Sequence, residues 1–171
     1  MSPVEPLARF SVGVVVERRK AKSAWADFLW RPISVLAGEP DAAPWTVLNN
    51  DADCTTFYAG AAEMALYRSD CGSYNENLAT EVPKLWAALR ATGADPPFAI
   101  VAVTADPSEG EALATSGTDL VEALPMPASI HSAIAAFVAA HHIEDVAFSK
   151  RVRDSANLEA LARRAPSKGR R

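Results

Sequence analysis

The sequence predicts an α+β fold, an antiparallel β-rich sheet or small barrel covered by a C-terminal amphipathic helix. Three observations carry this expectation. Apolar and polar residues alternate in at least five segments, and the loops between them are too short for the crossover helices of a parallel sheet. Only the stretch from Pro127 to His142 carries a clear helical stripe. There Ile130, Ile134, Phe137, Val138 and His141 fall at i, i+4, i+7, i+8 and i+11, with Ser129 and Ser132 off the stripe. Pro127 suits a first helical turn, where its missing N–H costs nothing.

Taken in order, residues 1–9 carry Pro3 and Pro6 without an apolar period and read as a flexible lead-in. Phe10, Val12, Val14 and Val16 then mark a strand that runs into the basic residues Arg18, Arg19, Lys20 and Lys22. That run reads as a solvated strand end, with a phosphate-binding patch as the alternative. In SAWADFLWRP, Ser23 predicts the cap of a short helix carrying Trp25, Phe28 and Leu29, which ends near Arg31 because Pro32 disfavours helix before it. Trp25, Phe28 and Trp30 either plug one end of the core or form an exposed partner-binding anchor.

Strand patterns return at Ile33, Val35 and Ala37 and again at Trp45, Val47 and Asn49, with turn chemistry at Asn49-Asn50-Asp51. Thr55 to Tyr58 and Glu63 to Arg68 read as strand around Gly60, a candidate bulge. A more polar segment continues through Tyr67, Tyr74 and Leu78. Leu85 to Arg90 fits either period, and the turn at Gly93 to Pro97 before Phe98 to Thr104 favours a hairpin. Asp106, Pro107 and Glu109 spell a helix start and Gly117 a stop. Leu120 to Leu124 is a last strand, giving six or seven in all; Asn157 to Arg164 suggests a further short helix.

A chain of 171 residues, 49% hydrophobic and 22% charged, suffices for one well-buried core. We read residues 10–146 as a single domain, with its helix at 127–142, and 147–171 as a basic tail. No apolar run approaches the ~20 residues of a membrane span, so a cytoplasmic location without membrane contact is expected. Cys54 and Cys71 form no C-x-x-C pair and read as reduced thiols. The net charge of −4 conceals an asymmetry. Residues 147–171 hold eight basic and two acidic residues, a net +6, against −10 for the rest. Lys150, Arg151 and Arg153 open this tail, which is expected to be mobile in isolation and either to make a salt-sensitive contact with an acidic surface, its own or a partner's, or to serve as a solubilising tail with no partner.

The standard catalytic patterns are absent. Neither G-x-G-x-x-G, nor G-x-x-x-x-G-K-[ST], nor G-x-S-x-G occurs. His141 and His142 diverge on a helix and suit its C-terminal end, while His131 is ten positions from His141. The pairs Asp51/Asp53 and Glu109/Glu111 sit in turn and cap contexts, and Cys71 has no histidine nearby in sequence. No catalytic residue, metal, cofactor or nucleic-acid partner is therefore expected.

The segments SVGVVVERRKAKSAWADFLWRP, PWTVL, TTFYAGAAEMALYRS, VTADPSEGEA, GTDLVEALPMP and SKRVRDSANLEALARR together resemble an uncharacterised proteobacterial family of about this length. Its members are often encoded beside formate dehydrogenase genes and sometimes labelled molybdopterin-guanine dinucleotide biosynthesis protein A. The resemblance implies a non-catalytic accessory or assembly protein that supports maturation of a molybdenum-dependent formate dehydrogenase, with a molybdoenzyme subunit or maturation factor as partner. A molybdopterin guanylyltransferase-type nucleotidyltransferase is the rival reading, using Arg18, Arg19, Lys20 and Lys22 on phosphate, and a small-molecule-binding barrel is a third. The guanylyltransferase label sits poorly on these residues. Such enzymes open with a glycine-rich GTP loop, whereas Val16 to Lys22 contains no glycine to let backbone amides converge.

Overall fold

The computed structural model describes residues 3–142. Among the described residues seven strands form two antiparallel sheets. In the first, β1 (Ala8–Lys20), β2 (Phe28–Ala37), β3 (Thr46–Asn50) and β4 (Cys54–Leu66) lie in the order β2-β1-β4-β3. In the second, β5 (Lys84–Ala91), β6 (Phe98–Thr104) and β7 (Leu120–Pro125) lie in the order β6-β5-β7. Between the two sheets β2 abuts β7 and β4 abuts β6, so six strands enclose one core and β3 is left as an outer edge. The helices are α1 (Cys71–Leu78), α2 (Pro107–Thr115) and α3 over 128–142. The expected α+β architecture is thus the observed one.

Alternation explains the interior. Val12, Val14 and Val16 of β1, Met64 and Leu66 of β4, and Leu85 and Leu89 of β5 have no solvent exposure and fill the barrel with side chains. Gly60 marks the expected bulge. Val14 pairs with Gly60 and Val15 with Tyr58, leaving Ala59 unpaired, and Gly60 adopts φ +120°, which a side chain would resist. A second irregularity lies at Pro32, where Val15 opposes Ser34 and Val16 opposes Pro32. A proline, lacking a ladder donor, is tolerated at such a place on an outer strand.

One end of the barrel is plugged. Tyr67 N–H donates to the Tyr74 hydroxyl (3.1 Å), and burial pushes the Tyr74 phenol up to about 12. Phe137 of α3 meets the Tyr74 ring edge-on at 6.2 Å, and Ile130, Ile134 and Val138 join the same core. The helical stripe read from sequence is therefore the buried face. Asn77 fastens α1 to the strands, donating to Lys84 O (2.7 Å) and Ala105 O (2.9 Å) while accepting from Lys84 N–H (3.0 Å). Helix α2 starts as expected, with Asp106 accepting from Ser108 N–H (2.9 Å). Its Glu109 closes the box through a relay: Asp106 N–H donates to the Thr104 hydroxyl (3.1 Å), which donates to Glu109 (2.6 Å).

Three local expectations change. No helix forms between Ser23 and Arg31; Ser23 Oγ accepts from Trp25 N–H (3.1 Å) in a turn, and Phe28, Leu29 and Trp30 begin β2. Aromatic residues facing a ready partner strand, β1, gain more from the ladder than one isolated helical turn provides. The polar segment through Tyr74 and Leu78 forms α1, which sequence periodicity does not reveal because only Cys71, Tyr74 and Asn77 are buried along it. The ordered chain also starts earlier than the lead-in implied, β1 pairing Ala8 with Leu66.

Candidate functional site: an arginine set among aromatic rings at the barrel mouth

The end of the barrel opposite the α1–α3 plug is rimmed by the β1–β2 hairpin, the start of β4 and the β5–β6 turn. The register determines what meets there. Arg18 lies across from Trp30 on β2 and Thr55 on β4, so its side chain shares a face with Trp30 and, one pair along, with Phe28 and Phe57. The guanidinium carbon sits 4.6 Å from the Phe28 ring centre, 5.4 Å from Phe57 and 5.6 Å from Trp30. Trp30 stacks on Phe57 at 5.8 Å, tilts against Phe98 at 5.5 Å and meets Trp45 edge-on at 6.2 Å. Trp45 enters β3 with φ +67°, a costly conformation for a tryptophan, and its N–H bonds to Tyr58 O.

These rings leave space between themselves and the β5–β6 turn. A cavity of about 490 Å³ is lined by Arg18, Trp30, Trp45, Phe57 and residues 94–97. A second, of about 570 Å³, shares Trp45, Ala94, Asp95 and Pro96 and extends past Phe98 to Glu39. Through these shared residues the two adjoin, and together they make a groove from Arg18 at the mouth along β4 and β6 to Glu39.

The other face of the hairpin carries a buried charge. Glu17, only 6% exposed, accepts from Arg19 Nη2 (2.8 Å) and Cys54 Sγ (3.1 Å) on one oxygen and from Arg31 Nε (2.9 Å) on the other. These hydrogen bonds, that from Arg19 foremost, outweigh burial and hold the carboxyl at about 2. The bond to Glu17, followed by burial, pushes the Cys54 thiol up, so it is a poor nucleophile at neutral pH. Charge and thiol are committed to each other and to holding the hairpin together.

The basic run from the sequence is therefore divided. Arg18 faces the groove, Arg19 the opposite side on Glu17, Lys20 ends β1 with its N–H on Asp53 O (2.9 Å), and Lys22 is exposed in the turn. The aromatic trio is divided too. Trp30 is half-buried in the ring cluster, Phe28 is 40% exposed at its edge, and Trp25 at the hairpin tip is 96% exposed beside Leu29 at 60%. Lys150, Arg151, Arg153, the rest of the tail and the suggested helix at 157–164 lie outside the described residues. Trp45, Phe57, Phe98 and Asp95 escaped the sequence reading. Phe57 becomes visible only once β4 is paired to β1, two residues along from the partner of Arg18, while Trp45, Phe98 and Asp95 come from the β2–β3 connection, β6 and the β5–β6 turn and carry no local signal. Among the described residues no group of three or more His, Cys, Asp or Glu side chains is placed to hold a metal ion, and no helix is long and apolar enough to cross a membrane. Both cysteines are free thiols, as expected.

No curated protein and no solved structure matches the chain. A family model described as "Protein of unknown function (DUF3305)" matches residues 11–152, from β1 through α3, and the chain belongs to that family.

Proposed function

We propose that the protein is a non-catalytic accessory or assembly protein that engages a partner polypeptide through the mouth of its barrel. The observation that carries this reading is Trp25, 96% exposed at the tip of a hairpin that also presents Leu29 and is flanked by Arg18, Arg19, Lys20 and Lys22. A tryptophan exposed at a hairpin tip gains free energy when a partner covers it, and Trp and Arg are enriched among the residues that dominate protein interfaces. Glu17 supports the same reading from below. A buried carboxylate bonded to two largely exposed arginines ties the strands of the hairpin together and so reduces the entropy lost when its tip is bound.

The resemblance to proteins encoded beside formate dehydrogenase genes makes a molybdoenzyme subunit, or a factor that matures it, the first partner to test. The full chain, tagged, is mixed with the subunits of a molybdenum-dependent formate dehydrogenase without nucleotide, and retention of a subunit is the expected result. In parallel the chain is titrated with GTP and magnesium. Micromolar GTP binding that disappears on changing Lys20 or Lys22 would replace this reading with the nucleotidyltransferase one.

A further inference from the structure

We infer that the groove between Arg18 and Glu39 is a docking site for an extended, proline- or aliphatic-rich peptide segment of mixed charge, its carboxylate meeting Arg18 and its basic group meeting Glu39. This rests on reading the mouth as a partner surface and specifies what that surface takes. Shape comes first. Each of the two open depressions has the volume of a small-ligand site, and they adjoin at Trp45 and Pro96, so together they reach from Arg18 to Glu39. An extended segment fills such a groove; a compact one leaves half of it empty.

Charge supplies direction. Arg9, Arg19, Arg31 and Arg90 each hold a carboxylate, on Glu63, Glu17, Glu17 and Asp119. Among the described residues Arg18 has no carboxylate within ion-pair distance, and its one hydrogen bond is a long one to Thr55 Oγ1 (3.4 Å). Phe28, Phe57 and Trp30 surround the guanidinium carbon at 4.6 to 5.6 Å and hold it in place, which leaves its remaining N–H groups for recognition. A guanidinium held this way is preorganised for a two-pronged bond to a carboxylate. At the other end the groove is lined by Glu39, with Asp95 between, so a polyanion such as a nucleic acid would meet two carboxylates along it. Trp30 and Phe57 are already stacked on one another, so a base finds no slot between them.

The wall provides the last constraint. Pro96 and Pro97 offer no backbone N–H, so this side cannot extend a β-ladder to the occupant. It offers apolar rings opposite Trp45, the kind of surface on which polyproline II segments dock without using their backbone donors.

The test is a display selection of random octapeptides on the immobilised full chain, followed by affinity measurement of the enriched peptides. Enriched peptides are expected to carry an acidic and a basic residue separated by proline or aliphatic residues. Arg18→Gln is expected to weaken them about tenfold or more, and Arg18→Lys, which keeps stem and charge but loses the fork, by less. Once the peptide's own acid is changed to its amide, Arg18→Gln should cost little further. Circular dichroism confirms that each variant is folded. No enrichment over a blank surface, or enriched peptides without an acid, overturns the inference. So does tight binding of a single-stranded oligonucleotide that Arg18→Gln abolishes. Peptides that lose affinity on Trp25→Ser but not on Arg18→Gln would overturn the groove while leaving the hairpin tip, and with it the partner-binding function, standing.

Discussion

Glu17→Gln should destabilise the protein at neutral pH by an amount that shrinks to a small remainder by pH 2. The glutamine keeps the size of the side chain and one acceptor oxygen but removes the charge that Arg19, Arg31 and the Cys54 thiol all address. A hydrogen bond to a charged group contributes ~1.5–3 kcal/mol net. Arg19 and Arg31 keep 55% and 59% of their side chains in solvent, which screens the attraction, so we expect a loss of about 1–2 kcal/mol for the network rather than the sum. With a urea dependence of about 2 kcal/mol/M, the unfolding midpoint at pH 7 should fall by ~0.5–1 M. The sign with pH follows from linkage. The folded-state pKa of about 2 lies below the ordinary 4.5, so the stabilisation is fully present above pH 4.5 and is lost as pH falls from there toward 2. Urea unfolding of both proteins at several pH values between 2 and 7 measures the gap. Equal midpoints at pH 7, or a gap as large at pH 2 as at pH 7, would refute the assignment of Glu17 as a buried charge held by its neighbours.

The same substitution should speed alkylation of Cys54 at pH 8.5, because the carboxylate that keeps its thiol protonated is gone; Cys71, wholly buried, should remain slow by mass spectrometry. Phe137→Ala should cost ~3–5 kcal/mol in urea unfolding, since the ring plugs the barrel against Tyr74, and an unchanged midpoint would remove α3 from the core. Gly110→Ala should destabilise by ~1–3 kcal/mol despite alanine's better helix propensity of about 1 kcal/mol. The new Cβ would fall within 2.6 Å of Trp86 Cδ1 and closer still to the indole's Cγ and Cδ2, and thermal melts of the two proteins decide which effect wins.

How far the fold is legible in the sequence depends on where each residue's energy comes from. Val12, Val14 and Val16 reveal their strand because burial alone decides their spacing, and Ile130 to Val138 reveal a helix for the same reason. Asp106 and Pro107 mark their helix through purely local hydrogen bonding and backbone geometry. Phe28 to Trp30 do not. Their helical spacing is accidental, and what sets them in a strand is a ladder to residues eight or more positions away on β1. Helix α1 is hidden for a related reason, since Asn77 is held by Lys84 and Ala105 rather than by an apolar stripe. The site shows the same division. Arg18 stands out as part of a charge run, but its role depends on Phe57, brought to it by the β1–β4 pairing, and on Trp45, held by its N–H bond to Tyr58 O. Neither is adjacent to it in sequence.

The affinity of the full chain for its partner subunit, compared with that of a variant carrying Trp25→Ser and Leu29→Ser, tests the partner-binding mouth most directly. Both side chains stand in solvent, so the variant should fold as stably as the parent to within ~0.5 kcal/mol, and any loss is a loss of contact. Truncating a tryptophan at the centre of an interface costs ~2 kcal/mol or more, so the dissociation constant should rise about thirtyfold, while Glu111→Gln on the distant surface of α2 should leave it unchanged. Equal affinity of the double variant and the parent would contradict the assignment of the mouth as the partner-binding surface.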